Sequence, residues 1–234
     1  DPVCTVADGL IWLYQSVNRN SMVRKMRILK CRGQEPMPGM HILRISNVGL
    51  QIFPRMPGKL RHQQRTGRRL SLGIPELDAM MFGGVPEGDS IIVAGSSGTG
   101  KSILCTQFIA EGLRQGEAAV IAVFEERPLE YAARAATFGL DLKTAQQKNT
   151  LEILYLRPLD LTVDEALHEI VEAVERTGAK RLAIDSLEGF ERALAPDFRE
   201  DFEESLYRMF VSLTGMGVTI LSTLMMEGSV ITAQ

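Results

Sequence analysis

Apolar residues fall into two patterns along this chain. Beyond residue 90, short and nearly continuous apolar runs at Ile91–Ala94, Ala118–Phe124, Leu151–Leu156, Arg181–Ile184 and Val218–Ser222 read as strands. They alternate with longer stretches of helical period, Ser102–Arg114, Leu129–Phe138, Val163–Arg176 and Glu200–Thr214. In the third of these, Val163, Ala166, Leu167, Ile170, Val171 and Val174 share one face. Strands that are apolar on both sides and alternate with helices predict an α/β architecture, a mainly parallel sheet flanked by helices. Before residue 54 the pattern is different. Leu10–Tyr14, Arg24–Cys31 and His41–Ile45 are short runs mixing apolar and basic positions, with Pro36, Pro38 and Gly39 marking a turn. They predict an N-terminal antiparallel β segment, too small to bury a core alone and in need of a second surface to cover one face.

Between the two patterns lies PRMPGKLRHQQRTGRRLS, residues 54–71, with two prolines, two glycines, six basic residues and no acid. This predicts three parts: a β segment over 1–54, a basic linker over 55–70 and an α/β domain over 71–234. Charge follows the same division. Residues 1–75 hold 13 Lys and Arg against Asp1, Asp8 and Glu35, whereas residues 76–234 hold 13 basic and 26 acidic groups. At 234 residues, 45% apolar and 24% charged, the composition excludes disordered, collagen-like and disulfide-scaffold classes. Cys4, Cys31 and Cys105 form no metal-binding or disulfide spacing, which fits a reducing, cytoplasmic setting. No apolar run reaches the roughly 20 residues that span a bilayer, so no membrane partner is expected. The start at Asp1-Pro2, with neither an initiator methionine nor an apolar leader, reads as a fragment or processed chain without a signal peptide.

The strongest chemical signal is Gly95–Ser102, GSSGTGKS, which meets GxxxxGK[ST] at every fixed position. A predicted strand precedes it and a predicted helix follows, the context this phosphate-binding loop needs. Glycines let Ser96, Ser97, Gly98, Thr99, Gly100, Lys101, Ser102 and Ile103 turn successive N–H groups toward phosphate oxygens at a helix N-terminus. Lys101 is the candidate contact to the β- and γ-phosphates and Ser102 a candidate Mg²⁺ ligand, so ATP and Mg²⁺ are the expected ligands. The strand Arg181–Ile184 ends in Asp185, a candidate for holding Mg²⁺ through water. Glu125 and Glu126 stand at the C-terminal end of the strand after the loop's helix, where an open parallel sheet places its ligand. Because neighbouring strand residues face opposite ways, Glu125 is the expected base for an attacking water and Glu126 the one near the metal.

These residues, with Ser71-Leu72-Gly73-Ile74-Pro75-Glu76-Leu77-Asp78 and Gly83-Gly84-Val85-Pro86-Glu87-Gly88 ahead of the loop, resemble the KaiC family of RecA-like ATPases, the circadian clock ATPase group. The likeness runs over residues 71 to about 224. The N-terminal piece resembles the end of a KaiC domain through Ala7–Leu13, Lys30-Cys31-Arg32-Gly33 and His41–Ile45. The chain therefore reads as the end of one KaiC domain followed by the start of the next. The resemblance implies a RecA-like fold, a homo-oligomeric, hexameric ring with nucleotide at subunit interfaces, and Lys30 and Arg32 acting in trans on a neighbour's γ-phosphate. It also implies a Ser/Thr autokinase activity, whose acceptor region would lie around Ser229 to Thr232. The N-terminal strands are expected to dock onto the ATPase sheet, from the same chain or a neighbour.

Two other functions compete with a hydrolysing enzyme. A DNA-dependent RecA-like motor is suggested by the basic N-terminal part, but Arg55–Arg69 has no aromatic residue for base stacking and the ATPase part is acidic, which argues against nucleic acid. A non-hydrolysing, nucleotide-gated scaffold is the other.

Overall fold

A computed structural model describes residues 6–18, 21–55, 67–156, 162–193 and 202–226. Residues 56–66 of the expected linker and Ser229–Thr232 lie outside the described residues. Four strands, β1 (Gly9–Asn18), β2 (Ser21–Cys31), β3 (His41–Ser46) and β4 (Gly49–Phe53), form an antiparallel meander in that order. A two-stranded ladder, β5 (Arg69–Leu70) with β6 (Val85–Pro86), brackets helix α1 (Pro75–Met80). The remaining strands are β7 (Ser90–Gly95), β8 (Ala119–Val123), β9 (Leu151–Tyr155), β10 (Arg181–Asp185) and β11 (Thr219–Met225). They make one wholly parallel sheet in the order β7-β11-β10-β8-β9. Its helices are α2 (Lys101–Arg114), α3 (Pro128–Thr137), α4 (Lys143–Gln147), α5 (Val163–Thr177), α6 (Leu187–Ala193) and α7 (Phe202–Gly215). This is the expected RecA-like α/β fold with an antiparallel sheet at the N-terminal end.

The two-residue strand period divides the core into two layers. Val120, Ala122, Leu182, Ile184 and Ile220 face α5, α6 and α7, where they meet Ile170, Val174, Phe190 and Met209. Ala119, Ile121, Val123, Ala183 and Leu221 face α2 and α3, against Cys105, Phe108, Tyr131 and Ala135. Continuous apolar runs therefore mark strands buried on both faces. Helix α5 starts with a reciprocal cap: Glu165 N–H donates to Thr162 Oγ1 at 3.3 Å and Thr162 N–H to Glu165 Oε2 at 2.6 Å. It ends at Gly178 in the left-handed region, φ 68°.

The N-terminal strands do not extend the parallel sheet. They keep their own sheet and lie on the outer side of α5 and α7, so within the chain the expected strand-to-sheet docking is not made. Side chains explain the choice. Ile42 joins the core cluster that α5 and α7 share, and Phe53 meets His168 of α5 edge-on at 5.6 Å between ring centroids. Arg44 Nε pairs at 2.9 Å with the buried Glu165 carboxylate, and Arg55 pairs at 2.7 Å with Glu204 of α7. The basic meander thus finds an acidic helical face, as the opposite charges of the two parts anticipate. Burial of Asp164 at the start of α5 pushes its carboxyl pKa up, against the opposing pull of Arg55, Lys25 and His41. The far end of the meander stays uncovered: Ile11, Leu13 and Val17 of β1 are 61%, 59% and 65% exposed.

Part of the expected linker is also structured. Arg69–Leu70 pair with Val85–Pro86, and Leu70 is buried. The Ser71–Asp78 motif closes this ladder through one carboxylate: Asp78 accepts from Ser71 Oγ at 2.5 Å and from Leu72 N–H at 2.7 Å. Gln107 of α2 donates to the Gly73 carbonyl at 2.9 Å, tying the motif to the helix behind the phosphate loop. A Cβ on Gly84, φ 104°, would collide with the Leu70 carbonyl.

The shared core predicts that Ile42→Ala lowers the stability of the whole α/β body by about 2–5 kcal/mol, because it opens a cavity over α5. Urea unfolding followed by far-UV circular dichroism reads this. An unmoved main transition would mean that the meander does not share the core.

Candidate nucleotide-binding site

The parallel register brings the C-terminal ends of β7, β11, β10 and β8 to one edge. Gly95 lies opposite Met225, and Asp185 opposite Val123. A cleft of about 400 Å³ opens there, lined from the phosphate loop by Ser97, Gly98, Gly100, Lys101, Ser102 and Ile103. Its other walls are Glu125 and Glu126 after β8, Tyr131 and Arg134 of α3, Asp185 and Glu188 after β10, and Thr223 of β11. Gly98 and Gly100 have φ of 79° and 93°, the conformation that lets the loop wrap before α2 begins. Thr99 donates its hydroxyl to the Ser96 carbonyl at 2.9 Å and so braces the loop from within. Lys101 Nζ donates to the carbonyls of Gly95 and Ser96, both at 2.8 Å. Its ammonium is therefore held at the mouth of the loop.

Asp185 Oδ1 accepts the Thr223 hydroxyl at 2.7 Å, a contact across neighbouring strands that fixes the carboxylate's direction. Glu125 and Glu126 both line the cleft, although strand alternation would turn neighbouring residues to opposite faces. The reason is that β8 ends at Val123, and the chain turns through residues 124–127 into α3. Glu125 is exposed and pairs with Arg192 of α6 at 3.2 Å. Glu126, expected beside the metal, accepts a fork from Arg134 instead, Nη2 at 2.8 Å and Nε at 3.1 Å. Arg134 lies over the Tyr131 ring at 4.7 Å, and the Tyr131 hydroxyl shares a 2.8 Å hydrogen bond with Thr106 of α2. Burial, then the negative charge of Asp185, drives the Tyr131 pKa well up, and the same two causes act in the same order on Cys105. Both groups are neutral.

Lys30 and Arg32 are not brought to this cleft within the chain. Lys30 lies opposite Leu10 on the β1–β2 ladder, and Arg32 pairs with Asp8 at 2.7 Å on the exposed surface. Arg134, Glu188 and Thr223 went unnoticed in the sequence. Glu188 had a readable signal, an acid three residues past the Asp185 strand end. Both its carboxylate oxygens are shielded from solvent with no hydrogen-bond partner among the described residues. Arg134 was an ordinary polar position on an amphipathic helix, and no local pattern distinguishes it.

Among the described residues, no three His, Cys, Asp or Glu side chains converge as a metal cage. Mg²⁺ bound with a nucleotide requires less, one or two protein oxygens completed by phosphates and water. Ser102 and Asp185, near the orphaned Glu188 carboxylate, offer oxygens of that kind, and the donor set fits Mg²⁺.

The sheet order and this cleft define a P-loop nucleotide-binding domain of the RecA-like class. The chain belongs to the KaiC family: the family model described as ATPase: KaiC matches residues 3–56 and 70–231. It is 32% identical over 190 residues to the circadian clock oscillator protein KaiC of a Picosynechococcus species, covering 81% of this chain and 36% of that protein. The KaiC of Rippkaea orientalis is 33% identical over the same shares. That of Parathermosynechococcus lividus is 30% identical over 213 residues, 90% of this chain and 38% of the relative. The chain thus spans little more than a third of the length of these relatives. No helix among the described residues is long and apolar enough to cross a membrane.

Helix α6 fixes one wall of the cleft through close packing. A Cβ on Gly189 would stand 2.5 Å from Phe124 Cβ, directly before Glu125. Gly189→Ala is expected to cost about 1–3 kcal/mol by overpacking, read as a lower denaturation midpoint. A midpoint at or above that of the wild type would contradict this seating of α6.

Proposed function

We propose that this chain binds ATP with Mg²⁺ in the cleft and hydrolyses it, working as a nucleotide-gated homo-oligomer. What carries the reading is the meeting of Lys101, Ser102, Glu125 and Asp185 in one cleft, from two strand ends and the loop. The loop amides and the N-terminus of α2 receive the β- and γ-phosphates. Lys101 exchanges its two carbonyl partners for phosphate oxygens, so its ammonium stays hydrogen-bonded throughout. Bound Mg²⁺ supplies Lewis-acid polarisation of the phosphates. Ser102 offers it a hydroxyl oxygen, and Asp185, steered by Thr223, holds its water. Glu125 orients a water for attack on the γ-phosphorus and accepts its proton as the bond to the ADP oxygen breaks.

Charge favours assembly. Four carboxylates line the cleft against Lys101 and Arg134, and Mg·ATP adds further negative charge. Lys30 and Arg32 of a neighbouring copy would offset that excess and stabilise the transferring phosphoryl group. Transfer to a protein hydroxyl, the autokinase activity, is the finer part of the proposal and is assigned no acceptor residue; the region around Ser229 to Thr232 lies outside the described residues. In a protein of the clock-oscillator kind that its relatives are, this cleft would be the part that reads nucleotide state.

Glu125→Gln is expected to lower phosphate release by about 10²- to 10⁴-fold. Malachite-green assays at saturating Mg·ATP measure it. Equal rates would exclude Glu125 as the base and favour the non-hydrolysing scaffold.

A further inference from the structure

Two cationic side chains line the cleft among the described residues, and Lys101 accounts for one of them. The other, Arg134, has no part in the mechanism above. Its guanidinium is unusually fixed for a half-exposed arginine. Nε and Nη2 grip Glu126, while the Tyr131 ring supports the guanidinium plane from 4.7 Å. The hydrogen bond from Tyr131 to Thr106 ties this arrangement to α2, the helix that begins with Lys101. Nη1 makes no hydrogen bond among the described residues.

A half-exposed ion pair adds little stability by itself. An arginine already locked by a carboxylate and an aromatic face loses little further entropy when its remaining edge, Nη1, donates a charge-assisted hydrogen bond to a phosphate oxygen. We infer that Arg134 is a cis-acting contact to the terminal phosphate of the bound nucleotide, so that the cleft discriminates nucleoside triphosphate from diphosphate. This rests on the nucleotide-binding reading and adds to it a residue and a selectivity. Lys101 and the loop amides serve both nucleotides, whereas the guanidinium beside Glu126 meets only the longer one. Glu126 then serves as the positioning partner that holds the guanidinium on the wall of the cleft.

Displacement of a fluorescent nucleotide from the full chain by ADP and by the non-hydrolysable triphosphate AMP-PNP, both with Mg²⁺, tests this. Arg134→Ala is expected to weaken AMP-PNP about tenfold or more, the loss of one charge-assisted hydrogen bond, and ADP by less than about twofold. Arg134→Lys, which keeps the charge but loses the Nη1 donor held in place by the Glu126 fork, should fall between Arg134→Ala and the wild type. If Arg134→Ala does not fold, the ratio of the two affinities in Arg134→Lys carries the test: a lower triphosphate preference than in the wild type supports the contact, and an equal one overturns it. Equal losses for both nucleotides, or no loss, overturn the inference and leave nucleotide binding standing. A wild type that binds neither nucleotide overturns both.

Discussion

The parallel register of β7, β11, β10 and β8 is the constraint on which the rest of the structure depends. It sets Gly95, Thr223, Asp185 and the end of β8 along one edge of the sheet, so that a loop, a carboxylate and a turn distant in sequence share one cleft. A slip by one residue would turn each apolar set toward the wrong helical layer. The burial that fixes the register is two-sided, and it therefore also fixes the cleft. Chemistry at the edge is held in place by hydrocarbon several residues behind it.

Within that frame, polar contacts set directions. Thr223 aims Asp185, Arg192 meets Glu125, and Arg134 clasps Glu126. The candidate acids Asp185, Glu125 and Glu126 are thus engaged by donors from β11, α6 and α3, and Lys101 by carbonyls of its own loop. In the proposed function, nucleotide binding exchanges these partners for others, which keeps the cost of gathering like charges low. Glu188 is the exception, a carboxylate whose shielded oxygens have no such partner among the described residues.

Much of the fold was legible in the sequence because two-sided burial writes itself as apolar runs. All five parallel strands and the helices α2, α3, α5 and α7 follow from those runs and the helical periods between them. The helices α1, α4 and α6, of five to seven residues each, do not, because so few turns show no stripe. The sheet order was not legible either, since strand periodicity says nothing about neighbours. The meander's need of a cover is legible, but not which surface supplies it: within the chain Ile42, Arg44 and Phe53 match the helical face of α5, not a strand edge. The phosphate loop could be read because its chemistry is local. Arg134 could not, because its place in the cleft arises from contacts with Glu126 and Tyr131 on a turn and a helix face.

Hydrogen–deuterium exchange on the full chain, with and without saturating Mg·ATP, addresses the central claim most directly. Amides of the Gly95–Ile103 segment should slow markedly on addition of nucleotide, with lesser protection around Glu125 and Asp185 and little change on the exposed face of β1. Unchanged exchange across Gly95–Ile103 in folded protein would contradict the account.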